Sequence, residues 1–357
     1  VGLIDQKGND AGIVPGTAAG KEPGRVSTSA LSVTLALQEG LAATALAMED
    51  FAAAARHCEQ LVQVRPDHFE AWFNLGYSRH RQGQHDAAAA AYQQAFRVRS
   101  NDPRPLVNLG MVRQALGDTD GARQAYEGAV ALDPDQPQAL WNLGLLAEQD
   151  EKWDTAERLY AKLASLESPD QPSSQLENSK PWLRLALARL RQGNHGGALE
   201  ALDVCHSQSP GSIDAWSCRG LALLELERWD EAKICFARVL ELNPTRPDAL
   251  RGLAALAIRD ADCSTAIQLR RRLGEQRHSL PELTYNIARM LHEAGSLDEA
   301  LRYYSEALKE RPRFAEALLN LGHVLHNLGR GEEATECWKR ALGLNSNFAA
   351  AYFESRR

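Results

Sequence analysis

The chain is short of nearly everything a sheet-rich protein or an enzyme needs. Aromatic residues make up 6% of its 357 positions and β-branched residues are sparse, whereas strands favour both classes. Almost no strand is expected. The six cysteines, Cys58, Cys205, Cys218, Cys235, Cys263 and Cys337, form no Cys-x-x-Cys pair and have no metal-ligand spacing, so neither a disulfide framework nor a zinc site is expected. Cys58 and Cys205 fall where other parts of the pattern place Tyr, Ala or Leu, and read as small core residues. Free thiols suit a reducing compartment. No apolar run reaches the length of a membrane-spanning helix, and residues 1–30 lack the basic start and apolar core of a signal peptide. A cytoplasmic chain without direct membrane insertion is expected, export staying open because the chain starts at Val1 rather than Met. The net charge of −7 provides no basic face for nucleic acid. No nucleophile stands with a base, and no carboxylate pair or phosphate-binding glycine loop is present; "GNHGG" at Gly193–Gly197 follows no strand and reads as a turn. No catalytic residue, cofactor or metal is expected.

What the chain has in abundance is Ala, Leu, Gln, Glu and Arg, the balance of a helical protein. Their order repeats. Alanine occurs at 54, 88, 122 and 156, then, after one slip of register, at 198, 232, 266, 300 and 334, each 34 residues after the last within a run. A second small position runs Ala42, Gly76, Gly110, Gly144, Ala186, Gly220, Ala254, Ala288 and Gly322. Small residues at fixed phases let two helices approach closely, so each unit reads as a helical hairpin. Gly83, Gly117, Gly193 or Gly295 marks the turn, and Pro66, Pro134, Pro210, Pro244 or Pro312 marks the exit. Trp72, Tyr92, Tyr126, Tyr160, Trp216, Phe236, Tyr304 and Trp338 recur as packing residues.

The segments "AWFNLGYSRHRQGQHDAAAAAYQQA", "LVNLGMVRQALGDTDGARQAYEGAVALDP" and "ALLNLGHVLHNLGRGEEATECWKRAL" resemble the tetratricopeptide repeat family. The resemblance implies an all-α, right-handed α-solenoid of about nine 34-residue helix-turn-helix units, with the first helix of each unit lining a concave groove. The expected organisation is a flexible tail and lead-in over 1–34, four units over 35–170, an insertion or hinge over 171–178, five units over 179–348, and a short cap or truncated tenth unit over 349–357. Arg270 stands where neighbouring units place Tyr or Phe, and "RRR" continues to Arg272. A softer joint is expected there, with the arginine stem packed and its head in water.

Asn74, Asn108, Asn142, Asn286 and Asn320 share one phase of the first helix. An asparagine inside a helix costs roughly 0.5 kcal/mol relative to alanine, so a repeated choice of it points to use rather than folding. One primary amide pairs with both the N–H and the C=O of an extended backbone whatever its sequence. This ladder resembles the groove asparagines in the repeat arm of protein O-linked N-acetylglucosamine transferases. Other uses of the amides are bridges to the next repeat or common repeat stock. Tyr77 lies one turn beyond Asn74. The ladder is interrupted at Arg184, Cys218 and Gly252. Lys180, Arg184 and Arg191, extended by Arg251, Arg259 and Arg289, would form a basic strip for an acidic or phosphorylated segment. Asn142, Lys180 and Arg184 resemble half of the carboxylate clamp that holds chaperone C-termini, but Val107 and Met111 occupy the phases of its other half. His292, His323 and His326 read as polar groove lining rather than a metal site.

The resulting expectation is a non-catalytic scaffold or adaptor that binds an extended or helical protein segment in the groove. Two alternatives stand beside it. One is the substrate-recruiting arm of a larger, glycosyltransferase-like enzyme whose catalytic domain lies beyond Arg357, and the other is an assembly platform forming homo-oligomers or secretion- or pilus-type complexes.

Overall fold

The structure, a computed structural model, describes residues 28–166, 175–275 and 280–348, with side chains from residues 34 and 180 onward in the first two stretches. The described residues form eighteen α-helices and no strand. The expected tail up to residue 27, the hinge over residues 171–174 and residues 349–357 lie outside them. Thr28–Thr34 and Gln175–Asn178 are helical, as the first turns of α1 and α9.

The chain divides into two compact units, Val1–Ser173 and Ser174–Arg357. The first holds four hairpins: α1 (Thr28–Ala47) with α2 (Phe51–Val64), α3 (Phe69–Arg81) with α4 (His85–Val98), α5 (Arg104–Ala115) with α6 (Thr119–Leu132), and α7 (Pro137–Gln149) with α8 (Trp153–Ser165). The second holds five: α9 (Gln175–Arg191) with α10 (His195–Gln208), α11 (Ile213–Glu225) with α12 (Trp229–Leu242), α13 (Pro247–Arg259) with α14 (Cys263–Glu275), α15 (Pro281–Glu293) with α16 (Leu297–Glu310), and α17 (Ala315–Asn327) with α18 (Gly331–Leu344). Within each unit, consecutive helices pack on one another.

Helix starts and stops follow local chemistry. Asp50, Asp118, Asn194 and Ser212 accept from backbone N–H groups in the first turns of α2, α6, α10 and α11, which satisfies donors that have no partner within the helix. Pro66, Pro134, Pro210, Pro244 and Pro312 each lie two residues past the end of a second helix. Between the helices of a hairpin the chain turns through a residue of positive φ. Five of these are glycines, such as Gly83 at 75°, and four are Glu49, Glu151, Glu227 and Ala261 at 55–58°.

The recurring alanines, from Ala54 through Ala334, are all fully buried. The second small position works differently from the expected approach of two helix backbones. It is a seat for a ring. A Cβ added at Gly76 would lie 2.7 Å from the Tyr92 ring, and one at Gly144 would lie 2.6 Å from Tyr160. Gly110 seats Tyr126, Gly220 seats Phe236 and Gly322 seats Trp338 in the same way. Where the seat is alanine, the opposing position is Cys58, Leu202 or Arg270; Ala288 beneath Tyr304 breaks this size rule. Phe236 is flanked on its other edge by Gly252 of the next hairpin.

Arg270 departs from expectation. Its guanidinium is engaged by protein, with Nε donating to Thr284 Oγ1 at 2.7 Å and Nη2 to Glu306 Oε2 at 2.8 Å, above the ring of Tyr303. The joint itself is sparse. α14 packs against α15 more thinly than any other consecutive pair within either unit, beside a cavity of about 350 Å³ lined by Arg270, Arg271, Gly274, Glu275, Leu280 and Glu310.

Candidate functional site

The five asparagines lie on α3, α5, α7, α15 and α17, each beside a buried Leu or Ile at the next position. Asn74 on α3, Asn108 on α5 and Asn142 on α7 are each half-buried. None of the three has a side-chain hydrogen-bond partner among the described residues. Leu75, Leu109 and Leu143, the next residues along each helix, are buried, which places each asparagine at the edge of its helix's buried face.

Three residues further along each helix, on the same face, stand Tyr77, Met111 and Leu145, also half-buried. Tyr77 sits edge-on to Phe51 at 5.9 Å, and its hydroxyl accepts from Arg81 at 3.0 Å. The first unit therefore carries two repeated tracks on its first helices, one of amides and one of apolar side chains, of which Tyr77 and Met111 pack against the core. Sequence reasoning found the first track and Tyr77. Met111 and Leu145 escaped it because an apolar residue on a helix ordinarily signals core; the cue was their offset of one turn from an asparagine.

In the second unit the ladder is broken as its sequence indicates, for two different reasons. Cys218 is 7% exposed, and burial pushes its thiol up to about 12, so it is a neutral packing group. Gly252 is buried against Phe236. Asn286 is half-buried, with no side-chain hydrogen-bond partner among the described residues. Asn320 behaves otherwise: its Nδ2 donates to the Tyr285 hydroxyl of the preceding hairpin at 2.9 Å. This one amide bridges repeats.

The cationic residues of the expected strip lie on α9, α13 and α15. Lys180 and Arg184 are half-buried on α9, and Arg191 is exposed at its end. Arg251 on α13 is exposed and has no ion partner among the described residues. Arg289 lies 3.8 Å from Glu293 on its own helix, and Arg259 pairs with Asp260, which reduces the positive charge of the expected strip. The clamp-like set of Asn142, Lys180 and Arg184 draws on both units.

His323 and His326 lie against the Trp338 ring, at 5.5 and 5.8 Å, and His292 lies edge-on to Tyr304 at 6.5 Å. Burial, then the neighbouring His292 and His326, hold the His323 imidazole below its ordinary value. No group of three or more His, Cys, Asp or Glu among the described residues is arranged to hold a metal ion. All six cysteines are free thiols, and no helix among the described residues is long and apolar enough to cross a membrane.

Sequence models of the tetratricopeptide repeat match residues 40–103, 107–172, 213–246 and 291–353, together more than half of the chain. The chain belongs to the tetratricopeptide repeat family. Among solved structures it is similar to a tetratricopeptide repeat protein from Parabacteroides merdae ATCC 43184, with 14% identity over 87% of this chain and 99% of that one and a TM-score of 0.46. It is also similar to YrrB, described as a TPR protein with an unusual peptide-binding site, with 18% identity over 64% and 97% of the two chains and a TM-score of 0.40. A third similar structure is MamA 41-end from Desulfovibrio magneticus RS-1, with 18% identity over 50% and 96% and a TM-score of 0.43. No curated protein matches the chain.

Proposed function

We propose that this tetratricopeptide repeat protein is a non-catalytic scaffold that holds an extended protein segment along the asparagine-bearing face of its first unit. The observation that carries the reading is the state of Asn74, Asn108 and Asn142: half-buried and without side-chain hydrogen-bond partners among the described residues. A half-buried amide without a protein partner keeps both its donor and its acceptor available to a bound backbone. Across the second unit the scaffold takes an acidic stretch, with Lys180, Arg184, Arg191 and Arg251 as its cationic contacts and Arg289 drawn partly to Glu293. Six free cysteines accord with a cytoplasmic protein.

The test is affinity capture from the source lysate with the wild-type chain and with Asn74→Ala, Asn108→Ala and Asn142→Ala combined, read by mass spectrometry. Far-ultraviolet circular dichroism of the variant should match wild type, because alanine is the better helix former. Partners lost with the variant support the reading. Partners fully retained by a folded variant would refute it.

A further inference from the structure

One face of α1 has no polar cover. Leu37, Leu41 and Met48 are exposed at 58, 39 and 76%, and no other helix among the described residues exposes as many large apolar side chains. With Thr44 they stand at i, i+4, i+7 and i+11, which on an α-helix confines them to about 60° of arc. Helical hydrogen bonding reaches Met48, whose N–H donates to Thr44 O at 3.0 Å. Thr44 Oγ1 donates to Gly40 O at 2.8 Å, so its hydroxyl is satisfied within the helix. The only charged residue between Thr28 and Ala47 is Glu39. It lies on the opposite side, 2.8 Å from His68 Nε2.

One repeat later the counterparts of Leu37, Leu41 and Thr44 are Ala71, Leu75 and Ser78 on α3, all buried. Ala71 and Leu75 share a core with Ala55, Cys58 and Val62 of α2. The same phase is Leu109 and Val112 on α5 and Leu143 and Leu146 on α7, again buried. The stripe on α1 therefore repeats the phase that the later first helices of this unit bury. An uncharged apolar stripe of this kind marks a docking surface.

Its spacing says what covers it. The steps of four, three and four residues read the same in both directions. Two such stripes laid antiparallel about a two-fold axis match Leu37 of one copy with Met48 of the other, and Leu41 with Thr44, an isologous contact that closes on itself. A head-to-tail contact with α18 would instead set the stripe on a helix that exposes Glu332, Glu336, Lys339 and Arg340 and no large apolar side chain. Those charges would lose water and gain no partner.

We propose that α1 is a self-association surface on which a second copy of this chain docks its own α1, antiparallel, in the register Leu37 to Met48 and Leu41 to Thr44. Four side chains per copy fall well short of the ~1,600 Å² of a standard stable interface. The dimer is accordingly weak and reversible, with a dissociation constant on the order of tens of micromolar. It is independent of the peptide-binding reading, which uses none of these four residues.

Sedimentation equilibrium of the full chain from about 1 to 500 µM should show a monomer–dimer equilibrium. Leu37→Glu should weaken it at least about tenfold, by setting a charge against the partner's apolar side chain. Adding Met48→Lys should restore the affinity to within a few-fold of wild type, because each introduced carboxylate then meets an ammonium of the other copy. Within one chain the two sites are about 16 Å apart along the helix and cannot pair. Both positions are exposed, and circular dichroism should show both variants folded as wild type. A wild-type chain that stays monomeric throughout the range overturns the proposal, whether or not residues ahead of α1 cover the stripe. A dimer unmoved by Leu37→Glu, or association that continues past the dimer, places the contact elsewhere and overturns it too. A double variant no better than Leu37→Glu alone rejects the antiparallel register and with it the proposal.

Discussion

Replacing Gly76 with alanine tests whether the second small position is a seat for a ring. The new methyl would stand 2.7 Å from both Cδ1 and Cε1 of Tyr92, against an ordinary carbon separation of about 3.5–4.0 Å. Tyr92 is fully buried and packs edge-on to Phe73 at 5.7 Å, so the ring has little room to withdraw the missing ångström. Overpacking of this kind costs ~1–3 kcal/mol. Alanine returns up to ~1 kcal/mol of helix propensity, so the net destabilisation should be ~1 kcal/mol. The control is Gly40→Ala on α1, where nothing lies within 4 Å of the added methyl; it should stabilise by ~0.5–1 kcal/mol. Tyr92→Leu recreates the Ala186–Leu202 pairing of a native hairpin when combined with Gly76→Ala. That double variant should be more stable than the sum of the single effects by ~1–2 kcal/mol, within the range for residues in contact. Urea titration followed by circular dichroism gives the overall effect. Hydrogen exchange over α3 and α4 localises it, which matters because repeat arrays depart from two-state unfolding. Strict additivity, or a Gly76→Ala variant as stable as Gly40→Ala, would refute the ring-seat argument.

Glu227 holds a φ of 58° at a hairpin turn where Gly193 and Gly295 do the same work without a Cβ. Left-handed geometry costs an L-residue about 1–2 kcal/mol, partly offset by glycine's greater freedom when unfolded, so Glu227→Gly should raise stability by ~0.5–1 kcal/mol in urea titration; a loss would contradict it. His323 has a folded-state pKa below its ordinary 6.5, so the unfolded chain binds its proton more readily. The stability it contributes is present above 6.5 and is lost as pH falls through the folded value. His323→Gln should therefore flatten the decline in urea midpoint between neutral and mildly acidic pH, and an unchanged decline would count against the buried imidazole as a cause.

Much of the fold could be read because the chain states its pattern nine times. The 34-residue period, the buried alanines and the proline exits are all consequences of small or helix-breaking residues, whose constraints are local and steric. What escaped the sequence depended on contacts between helices or on residues without a distinctive signal. Glu49, Glu151, Glu227 and Ala261 take the glycine geometry, yet neither Glu nor Ala advertises it. Arg270 looked like a side chain with its head in water until Thr284, Glu306 and Tyr303 were seen around it. At the candidate site, the asparagine phase was visible from its repetition and its cost in a helix. Which amide is occupied was not, because the Tyr285 that captures Asn320 lies a whole repeat away. The expected basic strip was legible as composition but not as charge, since Glu293 and Asp260 partner two of its members.

The matching of seat to ring also bears on how such a chain can be lengthened or rearranged. Seat and ring lie on the two helices of one hairpin, as with Gly76 and Tyr92 or Ala186 and Leu202. Copying or deleting a whole hairpin carries a matched pair along. A recombination breakpoint inside a hairpin would join the seat of one copy to the ring of another, setting alanine under tyrosine or glycine under leucine. The turns between hairpins are thus the places where a cut in this gene keeps seat and ring together, and Phe236, held by Gly220 in its own hairpin and by Gly252 in the next, marks a pair of hairpins whose duplication should proceed together.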